Sequence, residues 1–359
     1  MRVSSAVASH IAGAVTTMPA TPEIKTLMTQ LADGTTLDAA QTEHALSLLS
    51  REDASEATKA AFLMALRVRG ETVQEITGAA NFLRRQMKSI SAPEGAVDIV
   101  GTGGDGRHTY NISTCAAFVA SGAGLKVAKH GNRSVSSKSG ASDVLAALGV
   151  KMDCDFAATE RAIDAAGVGF LWAPLHHPAM KQWAGTRGEL GLRSLFNLLG
   201  PLCNPAGVKR LVLGVFSAQW VQPIADALLA LGAEHAWVVH GADGLDELST
   251  TGTNTVAEVR GGRVTVFELA PELAGLKIAR LEALVGGSAE DNAIALKEVL
   301  DGAHNAYRDI VLLNAGAALV VGGRATSIAE GVRGAAQAID GGQARAALDQ
   351  LIAISNGRS

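Results

Sequence analysis

The sequence predicts an α/β protein: a small all-helical N-terminal domain followed by a large α/β domain with a mainly parallel sheet covered on both faces. Three observations carry this. From Thr21 to about Ser91 every periodic stretch is helical, beyond Gly95 short apolar strands alternate with helices, and polar Gly-rich loops fall directly after those strands. At 359 residues the chain is long enough for two domains. A hydrophobic content of 48% with 4% aromatics and 40 glycines points to small-residue packing. The implied divisions are a loose extension over 1–20, a helical domain over 21–92 and an α/β domain over 93–359.

The helical domain is marked by its caps. Thr21-Pro22-Glu23 opens the first helix with proline at a position whose N–H would find no partner anyway. Ile24, Leu27, Met28 and Leu31 give its buried stripe, and Asp33-Gly34 ends it. Ala45, Leu48 and Leu49 mark a second helix, and Phe62, Leu63 and Leu66 a third that stops at Gly70. Thr72-Val73-Gln74-Glu75 is a capping box, followed by a stripe of Ile76, Ala80, Leu83 and Met87. Four short antiparallel helices make a bundle without any cluster that needs a chemical explanation. Ser91-Ala92-Pro93-Glu94-Gly95 then reads as a boundary.

Val97-Asp98-Ile99-Val100 reads as a buried strand that passes into Gly101-Thr102-Gly103-Gly104-Asp105-Gly106. Without Cβ atoms the glycines let backbone amides approach and face an anion. Asn111-Ile112-Ser113-Thr114 opens a helix running through Cys115 to Ala120, and its free N–H groups and positive dipole end favour phosphate. A second strand, Leu125 to Ala128, is expected to deliver a basic loop, Lys129-His130-Gly131-Asn132-Arg133. The unit is a βαβ with a polyanion site at its strand ends. No Gly-Lys-Ser/Thr closes the first loop, and its glycine spacing does not match the dinucleotide fingerprint. The expected ligand is therefore phosphorylated, but neither NAD nor a triphosphate cleaved on a P-loop.

Further on, Ser136-Ser137-Lys138-Ser139-Gly140 adds hydroxyls, and Ser142-Asp143 starts a helix that buries Val144, Leu145 and Leu148. A helix from Phe156 to Ala166 and a strand from Val168 to Trp172 continue the alternation. His176-His177 and a segment bearing Arg187 follow, then the turn Gly200-Pro201-Leu202-Cys203-Asn204-Pro205. Strands are predicted at Leu211 to Val215 and Ala236 to Val239, with a helix through Ile224 to Leu231 between them. The second strand ends in a loop holding Asp243, Asp246 and Glu247. A hairpin turning at Gly261-Gly262 joins Thr255–Val259 to Val264–Phe267, and the remainder is mostly helical. Ligands bind outside the carboxyl ends of such strands, so one crevice can collect these loops.

Asp246-Glu247 is either a solvated acidic turn or, beside a phosphate site, a pair of hard oxygen donors for Mg²⁺, with the Ser113 hydroxyl able to complete the set. Adjacent histidines point different ways, so His176-His177 gives no zinc site, and the absence of a Gly-x-Ser-x-Gly elbow leaves a serine nucleophile unsupported. Arg187 is a surface cation unless its helix faces the crevice, where its planar fork would suit a carboxylate. The formal charge of −4 argues against a general nucleic-acid binder, and no apolar run approaches a membrane span. Residues 1–20 make a poor secretory signal, and three widely spaced cysteines fit a reduced cytoplasm.

These segments, together with His177-Pro178-Ala179-Met180 and Asn197-Leu198-Leu199-Gly200-Pro201-Leu202-Cys203-Asn204-Pro205, resemble in order the motifs of the anthranilate phosphoribosyltransferase family. The resemblance implies a homodimer that contacts through helical domains, with residues 178–199 packed on the helical domain. It implies transfer of phosphoribose from 5-phosphoribosyl 1-diphosphate to the amine of anthranilate, with Mg²⁺, in tryptophan biosynthesis. Gly101, Gly104, Asp105, Thr109, Asn111, Ile112, Ser113 and Thr114 would line the sugar-diphosphate site. Lys129, His130, Gly131, Asn132, Arg133, Ser134, Val135, Ser136, Ser137 and Ala141 would close over it. Ser113, Asp246 and Glu247 would hold Mg²⁺, and Gly101, Asn132, Arg187, His130, Gly200 and Pro201 would meet anthranilate. Lys129 and Arg187 would act electrostatically, with no acid or base required.

Four positions depart from the family pattern. Ala141 stands where a serine is common, Ser288 where an aspartate is common, and Gln182 and Trp183 are atypical on the acceptor-side segment. Two other readings compete: a pyrimidine nucleoside phosphorylase of related fold, disfavoured by Asn132, Arg187 and Asp246-Glu247, and a noncatalytic nucleic-acid-binding relative, disfavoured by the acidic balance.

Overall fold

The computed structural model describes residues 21–133 and 139–358. The expected extension over 1–20 and the expected contacts of Ser134, Val135, Ser136 and Ser137 lie outside the described residues.

Capping chemistry sets the helical unit. Helix α1 (Pro22–Ala32) is capped by Thr21, α2 (Ala39–Leu49) by an Asp38/Gln41 capping box, and α3 (Glu56–Arg69) by Ser55. Gly70 ends α3 at φ 93°, a left-handed value that glycine takes without strain. Helix α4 (Val73–Gln86) begins with the predicted Thr72/Glu75 box. It stops one residue before Met87, which is therefore half-buried beyond the helix rather than part of its stripe. Met28 is likewise half-buried, at the edge of the α1 stripe.

The large domain alternates as expected. In chain order it runs β1 (Val97–Gly101), α5 (Ile112–Gly122), β2 (Val127–Gly131), α6 (Ala141–Ala147), α7 (Phe156–Ala165), β3 (Val168–Trp172), α8 (Ala173–His176), α9 (Ala184–Leu190) and α10 (Phe196–Leu199). It continues with β4 (Arg210–Gly214), α11 (Val221–Ala230), β5 (His235–His240), β6 (Asn254–Arg260), β7 (Arg263–Leu269), α12 (Ala289–Leu300), α13 (Ala306–Val321), α14 (Ile328–Asp340) and α15 (Gln343–Ser355). Among the described residues one sheet has the order β3-β2-β1-β4-β5-β6-β7, parallel from β3 through β5 and antiparallel at β6 and β7. The order reverses between β1 and β4, and a crevice opens at such a point.

Strand periodicity divides the core. Val97, Ile99, Val212, Trp237 and Val239 face a layer that includes α5, α12, α13, α14 and α15. Val100, Leu211, Leu213, Ala236 and Val238 face α11, and this second layer runs without a break into α1 to α4. Trp183 and Phe196 join it, with Trp183 Nε1 donating to Ser50 Oγ at 2.8 Å and Lys59 Nζ to the Gln182 carbonyl at 3.0 Å.

One register expectation is corrected. Strand β2 occupies Val127–Gly131 rather than Leu125 to Ala128, because Leu125 N–H still closes α5 on the Ala120 carbonyl and Gly124 turns at φ 93°. Lys129 and His130 therefore lie inside the sheet and are buried, not on a basic loop. Helix α6 starts at Ala141, one residue before the expected Ser142, with Asp143 accepting from Gly140 N–H at 2.9 Å.

Candidate functional site

The loop after β1 is shaped by glycine. Gly103, Gly104 and Gly106 adopt φ of 70°, 79° and 73°, and the Gly103 N–H turns inward to donate to Asp246 Oδ2 at 2.5 Å. Close approach is enforced from both sides of Asp246: a Cβ on Gly101 would collide with its carboxylate, and one on Gly214 with its carbonyl oxygen. The far end of the loop is pinned by backbone bonds from Tyr110 N–H to Leu284 O at 3.0 Å and from Gly286 N–H to His108 O at 2.9 Å. Thr109 pairs with Val285 as an antiparallel bridge.

Helix α5 begins in the crevice, and its first turn sorts the predicted residues. Ile112 and Thr114 are buried in the core, so only Ser113 of the three presents its side chain to the site. The Ser113 N–H donates to Glu247 Oε1 at 3.2 Å, and its hydroxyl accepts from Lys129 Nζ at 3.2 Å. An internal carboxylate thus meets the anion-favouring helix end. Asn111 does not cap α5 with its side chain; it donates to the Ser139 carbonyl at 3.3 Å and accepts from Asn292 Nδ2 at 3.0 Å.

Charge is crowded here. Burial, then Asp105 and Glu247, raise the proton affinity of Asp246 far above the usual carboxylate range. Glu247 is pushed up to about 7 by burial, against the pull of Lys129 and the bonds from Ser113. Burial lowers the Lys129 pKa while Asp98, Glu247 and Asp246 oppose it, and its Nζ also donates to the Ile99 carbonyl at 2.6 Å. Among the described residues no three His, Cys, Asp or Glu side chains form a metal cage.

A second group lies beside the first. His130 N–H donates to Asp98 Oδ1 at 3.1 Å, and Asn204 Nδ2 donates to Asp98 Oδ2 at 2.7 Å. Asp98 is fully buried and its carboxyl is pushed up to about 6 by burial, with Lys129 and these bonds opposing. His130 Nδ1 meets the Gly200 carbonyl at 3.1 Å, so it carries the proton, and His130 Nε2 is left to accept from His177 Nε2 at 3.1 Å. Burial and the neighbouring histidines depress the pKa of His130 to about 3 and that of His177 to about 4, keeping both rings neutral. His176 points away, bonding the Lys88 carbonyl at 2.7 Å and stacking on Phe156.

Arg187 sits on α9, which is docked to α3 through a Thr186–Glu56 hydrogen bond. Its guanidinium lies 5.5 Å from the Phe196 ring centroid, and burial lowers its pKa. Asn132 and Arg133 are exposed, and Arg133 pairs with Asp143 at 3.7 Å and lies over the Trp172 ring. Pro201 is buried behind Gly200.

Sequence reading missed several contributors. Asp98 was hidden in an apolar strand, where a fully buried carboxylate is itself the signal. Arg193 donates to the Gly104 carbonyl and lies 4.5 Å from the Phe216 ring centroid, so it ties the loop after β1 to the opposite wall. Of the departures, Ser288 caps α12 with Asp291 in a capping box, Trp183 fills the core, and Ala141 opens α6.

The Glycosyl transferase family a/b domain matches residues 93–345, and the Glycosyl transferase family helical bundle domain matches residues 25–87. Anthranilate phosphoribosyltransferase of Rhodopseudomonas palustris (strain BisB18) is 56% identical over 334 residues, covering 93% of this chain and 98% of the relative. The crystal structure of anthranilate phosphoribosyltransferase from Thermus thermophilus is similar with a TM-score of 0.87 and 42% identity, covering 92% of this chain and 99% of that one. The Saccharomyces cerevisiae enzyme in complex with PRPP and Mg gives a TM-score of 0.85 and 30% identity, over 93% and 98% of the two chains.

Proposed function

We propose, because this chain belongs to the anthranilate phosphoribosyltransferase family, that it transfers the 5-phosphoribosyl group of 5-phosphoribosyl 1-diphosphate to the amine of anthranilate, releasing diphosphate, in tryptophan biosynthesis. That membership displaces the nucleoside phosphorylase and nucleic-acid-binding alternatives. The observation that carries the reading is the meeting of three elements in one crevice: the Gly-rich loop after β1, the start of α5, and Asp246-Glu247.

The donor set fits Mg²⁺. Two adjacent carboxylates, Asp246 buried and Glu247 half-buried, each raised in proton affinity by desolvation, with a serine hydroxyl in reach, are the hard oxygen groups that such an ion takes alongside substrate phosphates. Ser113, Asp246 and Glu247 would hold it, and when bound it would offset the charge of the departing diphosphate. Lys129 supplies a fixed cation from inside the sheet, and the amides of Gly104 and Asp105 would receive phosphate.

On the other side, Arg187 would take the anthranilate carboxylate, with Asn132 and the Gly200-Pro201 turn bounding the ring. His130 and His177 stay neutral and hold that turn in place. An aromatic amine is uncharged near pH 7, so no general base is required, and departure of diphosphate from an oxocarbenium-like sugar sets the barrier. Positioning and electrostatics do the catalysis. We extend the proposal to domains over 21–92 with 178–199, and 93–359, to a homodimer through the helical domain, where Val68 is exposed, and to the cytoplasm, with which three unpaired thiols agree.

The test is the loss of anthranilate fluorescence when the protein is mixed with anthranilate, 5-phosphoribosyl 1-diphosphate and Mg²⁺, repeated with EDTA. Loss that needs both substrates and is abolished by EDTA is expected. No loss with both present would overturn the acceptor assignment, and loss unaffected by EDTA would overturn the metal.

A further inference from the structure

Resting on the metal reading above, we infer that helix α13 is a strut that fixes the spacing of the Mg²⁺ donors, with Asn314 and Tyr307 as positioning residues. The chain from Leu248 to Thr250, directly after Glu247, is fully buried yet belongs to no helix or strand. Its backbone groups need partners from elsewhere. Asn314 meets both polar groups of Leu248: its Oδ1 accepts from Leu248 N–H at 3.0 Å, and its Nδ2 donates to the Leu248 carbonyl at 2.8 Å. Asn254 treats Ser249 in the same way, at 2.6 and 2.9 Å. A side-chain amide carries a donor and an acceptor side by side, so it can replace a strand neighbour's donor and acceptor together.

The two clamps differ in what stands behind them. Asn254 belongs to β6, beside the segment it holds, whereas Asn314 sits in the middle of α13, fourteen of whose sixteen residues are buried. Asn314 is locked in turn by a bond from Nδ2 to the Ile310 carbonyl at 2.9 Å. Two turns earlier, about 10 Å along the axis, Tyr307 donates its hydroxyl to the Asn111 carbonyl at 3.2 Å and stacks on Tyr110 at 4.4 Å between centroids. Asn111 lies two residues before Ser113, and α13 packs along α5. One rigid helix thus holds the residue after Glu247 at one point and the residues before Ser113 at another. The distance between the carboxylate and the hydroxyl is set by α13 rather than by either loop. Neither side chain touches a reacting atom.

Mn²⁺ with diphosphate is the probe, its binding followed by electron paramagnetic resonance on the full-length wild type, Asn314→Ser, Tyr307→Phe and the Asp246→Asn/Glu247→Gln double variant. Loss of a partner hydrogen-bonded directly to a metal ligand costs about 10–100-fold in metal affinity, and Asn314 acts one residue further out, on the backbone next to Glu247. The dissociation constant for Mn²⁺ should rise about tenfold or more in Asn314→Ser and less in Tyr307→Phe, while the KM for anthranilate stays at the wild-type value. Unchanged Mn²⁺ affinity in a folded Asn314→Ser, or an equal rise in both KM values, would overturn the strut. Should Asn314→Ser not fold, Tyr307→Phe decides, since it removes one hydroxyl and keeps the ring. Wild type and the Asp246/Glu247 double variant binding Mn²⁺ equally would instead overturn the metal reading itself.

Discussion

The donor and acceptor halves of the proposed site are built on opposite electrostatic plans. On the donor side charge is buried against charge: Asp105, Asp246 and Glu247 repel one another around Lys129, and both Asp246 and Glu247 are driven toward their protonated forms. On the acceptor side charge is withheld, with His130 and His177 neutral and Arg187 facing an aromatic ring. Under the proposed function the donor half would take a cation and a polyanion, and the acceptor half one carboxylate. Their scaffolds differ too: strand ends and the α5 terminus carry the first, and a segment docked on the helical bundle carries Arg187.

The contrast breaks most readily at Asp246 and Glu247. Replacing both with alanine should reduce turnover by about 10³-fold, the scale of losing a principal electrostatic stabiliser. The thermal midpoint should hold or rise, because two mutually repelling acidic groups are gone. Full activity would dismiss the metal assignment. Next in size is Arg187→Ala, which should raise the KM for anthranilate about 10–100-fold, the worth of a charge-assisted hydrogen bond of about 1.5–3 kcal/mol. The KM for the sugar diphosphate should stay nearly constant, and equal shifts in both would place Arg187 elsewhere.

The smallest effect is on pH dependence. Glu247 has a folded-state pKa raised to about 7 from an ordinary 4.5, so its contribution to stability is full below pH 4.5 and is lost as pH rises through 7. Measured against Glu247→Gln, the metal-free wild type should lose a few degrees of melting temperature between pH 5 and pH 8, while neutral His130 and His177, with pKa values depressed to about 3 and about 4, act with the opposite sign in both proteins. Glu247→Gln should flatten that slope in part, with Asp98, raised to about 6, supplying a further share of the same sign. The reverse trend should hold for metal affinity, since the ion must displace that proton. A Glu247→Gln variant whose melting temperature follows pH over this range as the wild type's does would show that Glu247 is not held this way.

Much of the site was legible because its signals are local. Glycine after a strand, hydroxyl and amide residues at a helix start, and paired carboxylates on a loop each follow from neighbouring residues. The exceptions share one cause. The apolar run that suggests a loop at Lys129 and His130 ends at Ala128, but pairing with β3 carries β2 on to Gly131. Asp98 passed as part of an apolar strand because its partners, Asn204 and the His130 N–H, lie far along the chain. Trp183 was atypical by comparison and ordinary by position, since it fills the layer between the bundle and the sheet.

The sequence by itself determined the helices and their caps, the alternation that makes the sheet, and the residue types able to hold phosphate and a hard cation, because propensity, capping and periodicity act within a few residues. Tertiary structure alone decided where those groups meet. Gly214 admits the Asp246 carbonyl, Arg193 reaches Gly104 from across the crevice, and Asn314 holds Leu248 from 66 residues away. Each depends on two segments being brought together by burial of a shared core, and no local pattern encodes that distance.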